Sequence, residues 1–245
     1  MKKICLIGGS GVLGKYFAKQ LSLGSELHVA DIGLKNIRKS KKLFNYYLDI
    51  SDEKSVKEFF FKNKKKPFDI LINNSAFTTE MAAKKKLKND IFSSEVFKRT
   101  IDVNLNGVFL CCKYFIKYHH KKRIDQRVIN IGTMYGLHSP HHEIYKGQKF
   151  FSSISYTASK AGIVGITKWL ATKYATENTN FNIVTPGGVF NGQNKKFIKK
   201  YSELIPKKKM ASQEEIFSAI KFLIADDSKY VLGQNIYVDG GFSAW

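Results

Sequence analysis

Short apolar segments alternate with longer segments of helical periodicity along this chain of 245 residues. The apolar segments have the length of buried strands, and the segments between them repeat apolar residues at helical spacing. Strands that alternate with helices form right-handed βαβ units, which build a parallel sheet covered by helices on both faces. The sequence therefore predicts an α/β fold, a doubly wound parallel sheet of about seven strands in three αβα layers. The predicted strands are Lys3–Ile7, Glu26–Ala30, Asn45–Leu48, Asp69–Ile72, Arg127–Ile131, Phe181–Val184 and Asn235–Val238, and the predicted helices include 12–23, 53–63, 94–119, 156–177 and 213–224.

The chain has no internal repeat and no linker rich in proline or serine. One domain over residues 1–245 is therefore the simplest organisation. Two segments lack clear periodicity, 136–152 and 187–210, and both follow predicted strands. Ligands of doubly wound folds bind at the carboxyl ends of the strands. We therefore expect both segments to lie beside a ligand site, with the segment 187–210 as a substrate lid.

The formal net charge of +21 first suggests a nucleic-acid partner. Only four of the 41 basic residues are arginines, namely Arg38, Arg99, Arg123 and Arg127. Base and phosphate recognition depend heavily on the bidentate arginine side chain, so no nucleic-acid partner is expected. The lysine clusters, predicted to be solvated faces, are 62–66, 84–88, 195–200 and 207–209. The alternative is that they attract anionic substrates such as phosphorylated sugars or an acidic carrier protein.

No apolar run approaches the roughly 18 residues needed to cross a bilayer, so no membrane partner is expected. The first apolar stretch runs directly into Gly8, which leaves no room for a signal peptide. The three cysteines, Cys5, Cys111 and Cys112, have neither a disulfide framework nor the spacing of metal ligands. We predict buried thiols in a reducing cytoplasm.

A glycine-rich loop, Gly8-Gly9-Ser10-Gly11-Val12-Leu13-Gly14, lies between the first predicted strand and the first predicted helix. Glycines allow a tight turn and close backbone approach, and the helix N-terminus offers free N–H groups to a pyrophosphate. Asp31 ends the second predicted strand, where a carboxylate would accept both hydroxyls of an adenosine ribose. Such a carboxylate repels a 2′-phosphate, so the sequence favours NAD over NADP.

Both acidic residues near this loop have a second interpretation. Asp31 could instead cap the N-terminus of a helix that follows its strand. Asp49, after the third predicted strand, could contact the amino group of the adenine ring or could be a loop or capping residue. Lys35 and Arg38 lie close enough in sequence to Asp31 to leave NADP open.

Tyr156 and Lys160 are four residues apart in a segment with helical periodicity, so their side chains leave the same helix face. A phenol is a poor base at neutral pH because its pKa is near 10. A nearby ammonium favours the phenolate and is expected to bring that pKa toward the working range. The pair is therefore a candidate acid and base, whereas an isolated pair of this spacing would more often only share a helix surface.

These motifs, in this order, resemble the short-chain dehydrogenase/reductase family, in its single-domain branch with a Rossmann-type fold. The resemblance runs from Lys3 to Trp245. Besides the glycine loop and the Tyr156–Lys160 pair, the matching segments are Asn73-Asn74-Ser75-Ala76, Asp102-Val103-Asn104-Leu105-Asn106-Gly107, Asn130-Ile131-Gly132-Thr133-Met134-Tyr135-Gly136, Asn182 with Pro186-Gly187, and Val238-Asp239-Gly240-Gly241.

The resemblance implies a hydride transfer between a nicotinamide cofactor and an alcohol or carbonyl. It implies that Tyr156 carries the proton, that Lys160 assists it and holds the nicotinamide ribose, that Thr133 orients the substrate oxygen, and that Asn104 holds a relay water. For Asn104 a buried amide bonded to the backbone, and for Thr133 a plain strand residue, are the alternatives. The implied cofactor-binding residues are Gly8, Ser10, Gly11, Val12, Leu13, Gly14, Asp31, Asp49, Ile50, Asn74, Ser75, Ala76, Asn104, Tyr156, Lys160, Pro186, Gly187 and Val189. The implied substrate-binding residues are Thr133, Tyr135, Tyr145 and Gly188.

The chain departs from the family pattern at three places. Val12 stands where a third closely spaced glycine is usual, and Thr133 stands where the family has serine, whose hydroxyl makes the same hydrogen bond without an extra methyl group. The interval from Thr133 to Tyr156 is 23 residues, against about 13 implied by the resemblance. The extra residues fall in the insertion 136–152, whose Tyr, Lys and His side chains are expected to contact substrate. Its three histidines and one glutamate lack outside ligands at fixed spacing, so no metal is expected.

The insertion, with Pro186 to Phe190 and Gly233 to Asn235, is also similar to a subgroup of these reductases encoded among bacterial genes for surface sugars, including nonulosonic acids. That similarity suggests a sugar-derived small-molecule substrate. Two alternatives stay open, a 3-oxoacyl-(acyl-carrier-protein) reductase and a dinucleotide-binding relative without activity. The small residues of segment 156–174 either pair subunits of a dimer or tetramer, with help from Gly240–Trp245, or pack on their own sheet.

Overall fold

One eight-stranded sheet forms the centre of the computed structural model, which describes residues 1–84, 91–121, 124–148 and 150–244. All seven predicted strands are present, with ends that differ by at most two residues. The eighth, β3, is a two-residue strand that pairs antiparallel with β4 and was not predicted, because both of its residues are exposed. The strands are β1 Lys3–Ile7, β2 Glu26–Asp31, β3 Ile37–Arg38, β4 Leu43–Tyr47, β5 Ile70–Asn73, β6 Gln126–Ile131, β7 Thr179–Pro186 and β8 Asn235–Val238.

The strand order is β3-β4-β2-β1-β5-β6-β7-β8, and every pair except β3 with β4 is parallel. The chain winds outward from β1 in one direction through β2 and β4, and in the other through β5 to β8. The winding therefore reverses between β1 and β5, which is the point where doubly wound folds open a crevice. Ile7 is in register with Ala30 on one side and with Asn73 on the other, so the three strands end together.

Helices cover both faces of this sheet. They are α1 Val12–Leu21, α2 Glu53–Asn63, α3 Thr79–Lys84, α4 Ser94–Ile101, α5 Gly107–His119, α6 Ile154–Lys173, α7 Lys195–Glu203 and α8 Gln213–Ile224. The predicted helix 94–119 is two helices joined by a π-helical turn, Asp102–Asn106. Helices α3 and α7 were not predicted. Helix α7 lies within the segment predicted to be a lid, and four lysines interrupt its apolar pattern.

Two apolar cores lie on opposite faces of the sheet, because alternate residues of each strand point to opposite sides. Cys5 and Ile7 of β1 pack toward α2, α5 and α6. Ile4 and Leu6 of the same strand pack toward α1 and α8. The three cysteines are fully buried, as predicted, and burial raises the pKa of each thiol.

A buried polar chain ties α6 to the sheet. The Asn73 amide donates to Asn130 Oδ1 at 2.8 Å, and the Asn130 amide donates to Thr167 Oγ1 of α6 at 2.9 Å. Buried hydrogen bonds of this kind fix one relative position of the packed elements. The chain of amides therefore sets the position of α6, which carries Tyr156 and Lys160, against β5 and β6.

The lysine clusters at 62–66, 195–200 and 207–209 are mostly exposed, which confirms that they are solvated faces. The fourth cluster, 84–88, lies outside the described residues except for Lys84, and Arg123 and Trp245 also lie outside them. No helix in the described part of the chain is long and apolar enough to cross a membrane.

Candidate active site

The glycine loop brings two backbone segments into closer contact than side chains would allow. Gly8 has a positive φ of 85°, and a Cβ placed on it would lie 2.5 Å from the backbone nitrogen of Ser75. A Cβ on Gly14 would collide with the carbonyl oxygen of Gly8. Only glycine avoids both the left-handed strain and the collision. These two glycines therefore hold the turn after β1 against the end of β5.

Gly11 is different, because a Cβ there would approach only the Gly8 oxygen, at 3.9 Å. It stands at the N-cap position of α1, and Gly11 and Val12 are exposed. A glycine cap has no side chain that could occupy the N–H groups of the first helical turn. The N-terminus of α1, including Val12, Leu13 and Gly14, thus faces an open cradle that fits the pyrophosphate of a dinucleotide.

Asp31 organises the turn beside this cradle. Its Oδ2 accepts a hydrogen bond from Ser10 N at 3.0 Å, and its Oδ1 accepts one from Gly33 N at 2.8 Å. The alternative of a helix cap is wrong, because the next helix along the chain, α2, begins only at Glu53. Arg38 turns away, donating to the Ser40 carbonyl and lying 5.3 Å from the Phe44 ring. Asp31 therefore places a carboxylate at the end of β2, and Arg38 is engaged elsewhere.

Asp49 is a turn residue in this structure. Its Oδ1 accepts hydrogen bonds from the backbone and the hydroxyl of Ser51, at 2.9 and 2.6 Å, and its Oδ2 lies 3.7 Å from Arg99. Asp52, not Asp49, caps α2. The next residue, Ile50, packs where a side chain on Gly107 would stand, 2.7 Å from an added Cβ. These contacts correspond to the loop interpretation, and the contact of Asp49 with adenine stays a prediction.

The segment Asn74-Ser75-Ala76 leaves β5 directly beneath the glycine loop. The Asn74 backbone donates to the Ile7 carbonyl at 3.0 Å, and its side chain donates to the Gly8 carbonyl at 2.8 Å. Ala76 follows at the same sheet edge, half-buried. The structure thus brings together the predicted cofactor residues from the ends of β1, β2 and β5.

Tyr156 and Lys160 stand one turn apart on α6, with Lys160 Nζ 6.0 Å from the centre of the tyrosine ring. Ser153 caps this helix by accepting a hydrogen bond from the Tyr156 backbone at 3.2 Å. The side chain of Thr133, just past the end of β6, lines the same cavity as Tyr156 and lies close enough for its hydroxyl to lower the tyrosine pKa. Lys160 is buried and donates to the Ile131 carbonyl at 2.8 Å. Three of the predicted catalytic residues are therefore held together by β6 and α6.

The acid–base balance of this pair differs from the predicted one. Burial raises the pKa of Tyr156 to about 12, the charge of Glu80 adds to that rise, and the nearby Thr133 hydroxyl opposes it. Burial also lowers the pKa of Lys160 to about 8. The expected fall of the tyrosine pKa is wrong for this structure, because burial penalises the phenolate more than its surroundings stabilise it. At neutral pH Tyr156 is a protonated acid.

Asn104 lies in the π-helical turn and is fully buried. Its Oδ1 accepts from Phe77 N at 2.6 Å, and its amide donates to the Phe77 carbonyl at 3.1 Å and to Ser159 Oγ at 3.3 Å. These bonds are those of the alternative, a buried amide that pairs with the backbone. They also join the segment after β5 to α6, so Asn104 positions both parts of the site, and a relay water stays a prediction.

A cavity of about 230 Å³ opens beside the Tyr156 side chain. The predicted residues Thr133, Tyr135, Tyr145, Gly187, Gly188 and Val189 line it. Gly188 cannot carry a side chain, since an added Cβ would lie 2.5 Å from the Tyr201 ring. Pro186 ends β7 at the edge of this cavity and holds the segment that follows.

The insertion faces this cavity with other residues than expected. Tyr145 does line it, with its hydroxyl 3.4 Å from that of Tyr135. Lys146 instead pairs with Glu143 at 2.8 Å, and His138 packs against the ring of Phe242. None of the described lysine and histidine residues of the insertion lines the cavity, and their contact with substrate stays a prediction. Within these residues no three His, Cys, Asp or Glu side chains are grouped as metal ligands.

Several cavity residues were missed in the sequence. They are Thr78, Thr79, Glu80, Phe150, Phe151, Ser152, Ser153, Gln193, Phe197, Tyr201, Met134 and Met210. A usable signal existed for two of them, because Phe197 and Tyr201 are four residues apart in the lid segment and share one face of α7. No local pattern marks Glu80, whose cavity neighbours come from distant parts of the chain.

A family model described as enoyl-(acyl carrier protein) reductase matches residues 18–243. The 3-oxoacyl-(acyl-carrier-protein) reductase FabG of Buchnera aphidicola subsp. Schizaphis graminum is 33% identical over 98% of this chain and 97% of its own length. The chain belongs to the short-chain dehydrogenase/reductase family.

Two further relatives of this short-chain dehydrogenase/reductase bear on its site. The post-translational flagellin modification protein A of Campylobacter coli is 29% identical over 98% of both chains. A short-chain dehydrogenase from Leptospira borgpetersenii serovar Hardjo-bovis, solved with bound NAD⁺, superposes with a TM-score of 0.86 at 30% identity, over 99% of this chain and 92% of that one. The protein is thus an NAD(P)-dependent oxidoreductase with a nicotinamide dinucleotide as its cofactor.

Proposed function

We propose that the protein interconverts an alcohol and a carbonyl compound with NAD, and that Tyr156 transfers the proton. The observation that carries the proposal is that Thr133 and Tyr156 line the same cavity, with Lys160 one helical turn from Tyr156 on α6. A substrate oxygen that enters this cavity meets two hydroxyl groups at once. When bound, the dinucleotide supplies or accepts the hydride.

Each residue has a role in this proposal. In reduction, Tyr156 gives its proton to the carbonyl oxygen, and in oxidation its phenolate takes the proton of the alcohol. Thr133 orients the same oxygen. Lys160 holds a nicotinamide ribose hydroxyl and supplies positive charge beneath the tyrosine. Asn104 fixes α6 against the segment after β5 and connects the site to solvent through a water.

We propose NAD as the preferred cofactor because Asp31 ends β2 with a carboxylate whose two oxygens are fixed by backbone N–H groups. A fixed carboxylate accepts the ribose hydroxyls and repels a 2′-phosphate. Arg38, the nearest arginine in sequence, is held by Ser40 and Phe44 and does not neutralise it. The residues proposed to hold the dinucleotide are Gly8, Ser10, Gly11, Val12, Leu13, Gly14, Asp31, Asp49, Ile50, Asn74, Ser75, Ala76, Asn104, Tyr156, Lys160, Pro186, Gly187 and Val189.

For the substrate we propose a small sugar-derived alcohol or ketone, in keeping with the likeness to a flagellin modification protein. A 3-oxoacyl reductase is the second candidate, favoured by the likeness to FabG. We further propose that the protein works in the cytoplasm as a dimer or tetramer, in which small residues of α6 pair subunits. Ala158 and Gly165 are exposed and available for this, whereas Ala171 is buried on its own sheet.

The test is a rate measurement with NADH and NADPH on two panels, sugar-derived ketones and 3-oxoacyl thioesters, monitored by nicotinamide absorbance. We expect NADH to support faster reduction of a sugar-derived ketone. Faster reduction of a 3-oxoacyl thioester with NADPH would instead support the second candidate, a 3-oxoacyl reductase. Enzymatic function would be contradicted if the protein binds NADH tightly but neither reduces a compound of either panel nor oxidises the matching alcohols. Sedimentation velocity that gives only a 27.9 kDa species would contradict the oligomer.

A further inference from the structure

The charge inside the cavity is opposite to the charge of the chain. The sequence contains 41 lysines and arginines against 20 acidic residues. Among the described residues that line the cavity there is no lysine, arginine or histidine, and one carboxylate, that of Glu80. Long-range repulsion of a cation by the basic surface is screened within about 8 Å at physiological salt. The cavity itself therefore decides which charged group is accepted near Tyr156.

Glu80 is held at this position by the insertion. It is the second residue of α3, and the preceding residue, Thr79, donates its hydroxyl to the Phe151 carbonyl at 2.8 Å. This bond ties the first turn of α3 to the end of the insertion, which is itself part of the cavity wall. The carboxylate lies close enough to Tyr156 and Tyr145 for its charge to raise the pKa of both hydroxyls.

The carboxylate also lacks a cationic partner among the side chains that the structure describes. None of the ion pairs found among them includes Glu80. Other carboxylates of the chain do pair with a cation, as Glu53 does with Lys113 at 2.6 Å. Glu80 is also exposed, so its carboxylate is accessible to a ligand that enters the cavity.

The aromatic rings that line the cavity suit the same kind of ligand. Tyr145, Phe150 and Phe197 form a cluster with ring centres 5.1–6.0 Å apart, and all three line the cavity. Aromatic faces attract ammonium groups, most strongly where water is excluded. Nearby, the buried Ser152 Oγ has no hydrogen-bond partner among the described residues, and buried polar groups of this kind normally bond a protein group, a ligand or an ordered water.

We infer that Glu80 is a specificity-determining residue that binds a protonated amino group of the substrate. The substrate class is then an amino alcohol and the corresponding aminoketone, such as an amino sugar with a free amine. The aromatic cluster of Tyr145, Phe150 and Phe197 would cover the ammonium group, and Ser152 would bond a neighbouring hydroxyl. This inference rests on the proposed alcohol–carbonyl chemistry. It also gives the amine a role, since its charge would cancel the effect of Glu80 on Tyr156.

The test compares matched probes that differ in the charge of one group. The assay measures oxidation with NAD by the wild-type protein, Glu80→Gln and Glu80→Lys. The probe pairs are D-glucosamine with N-acetyl-D-glucosamine, and 2-amino-1,3-propanediol with glycerol. Binding of each probe to the NADH-loaded protein is measured in parallel by saturation-transfer NMR. The control is Glu58→Gln, which removes an exposed carboxylate paired with Lys62 outside the cavity.

We expect the aminated probe of each pair to be preferred by wild-type protein. Glu80→Gln should weaken its binding and its kcat/KM about 10- to 100-fold, the range for one charge-assisted hydrogen bond, with the neutral probe changed less than about twofold. Equal use or equal binding of charged and neutral probes, or no effect of Glu80→Gln, would overturn the inference. Hydride transfer to neutral probes alone would overturn it and leave the proposed function intact. Amine-selective binding without any hydride transfer would support the role of Glu80 and contradict the proposed function.

Discussion

The cofactor half and the substrate half of the sheet edge are built by different means. Around β1, β2 and β5 the contacts are mainly backbone contacts, such as Gly8 against Ser75 and Asp31 on the N–H groups of Ser10 and Gly33. Around β6 and β7 the cavity is walled by side chains from the insertion, α3 and α7. Backbone contacts hardly depend on which side chains surround them. Side-chain walls change with each substitution, so the two halves can vary independently.

This difference explains why relatives that share one fold are named for different activities. A cradle made of glycines and helix N–H groups accepts any pyrophosphate of the right shape. The substrate wall here contains a longer insertion than the family resemblance implies, and that insertion contributes Tyr145, Phe150, Phe151 and Ser152. The following substitutions separate the two halves, beginning with the largest expected effect.

Tyr156→Phe should break catalysis and leave the cofactor half unchanged. The ring stays and the only proton carrier on the substrate oxygen is lost, so we expect turnover to fall by about 10³-fold or more. NADH affinity, measured by fluorescence titration, should change little. Tyr145→Phe is the matched control, because it removes another cavity hydroxyl while Tyr156 stays in place. Near-normal turnover of Tyr156→Phe would refute the proton-transfer role.

Asp31→Ser should alter the cofactor half alone. Without the carboxylate, the repulsion of a 2′-phosphate disappears, and we expect the ratio of kcat/KM for NADPH over NADH to rise at least about tenfold. The relative rates on different substrates, measured with whichever cofactor is faster, should stay the same. A ratio that does not move would mean that Asp31 serves only the turn with Ser10 and Gly33.

The same contrast governs how much was predictable from the sequence. Most of the predicted strands are buried runs, such as Ile70–Asn73 with its three consecutive apolar residues, and the glycine loop has a fixed spacing. Strand β3 has two exposed residues and carries no periodic signal. Glu80 lies at the cavity beside Thr79, which bonds to Phe151, 72 residues away. Contacts of this range leave no mark in a local pattern.

Two identical glycine substitutions in helices should have opposite effects on stability. A Cβ on Gly14 of α1 collides with the Gly8 carbonyl, whereas a Cβ on Gly165 of α6 has no neighbour within 4 Å. We expect Gly14→Ala to lower the free energy of unfolding by about 1–3 kcal/mol and to weaken NADH binding. Measured on the dissociated protomer, Gly165→Ala should raise it by up to about 1 kcal/mol, because alanine is the better helix former. The measurement is urea unfolding of both variants. Equal changes in their free energy of unfolding would contradict the close contact at Gly14.

The smallest effect concerns the pH dependence at the substrate half. The pKa of Tyr156 is raised to about 12, so the phenolate needed for oxidation becomes more abundant as the pH rises through the accessible range, and the oxidation rate should rise with it. The nearby Thr133 hydroxyl lowers this pKa, so Thr133→Val should raise it and displace the oxidation profile to higher pH. Thr133→Ser keeps the hydroxyl and should not. The profile of kcat/KM from pH 6 to 10 is the measurement, made at saturating NAD. Thr133 is not part of the glycine cradle, so NADH affinity should be the same for both variants at every pH. If the affinity changed together with the pH profile, the two halves would be coupled through β6.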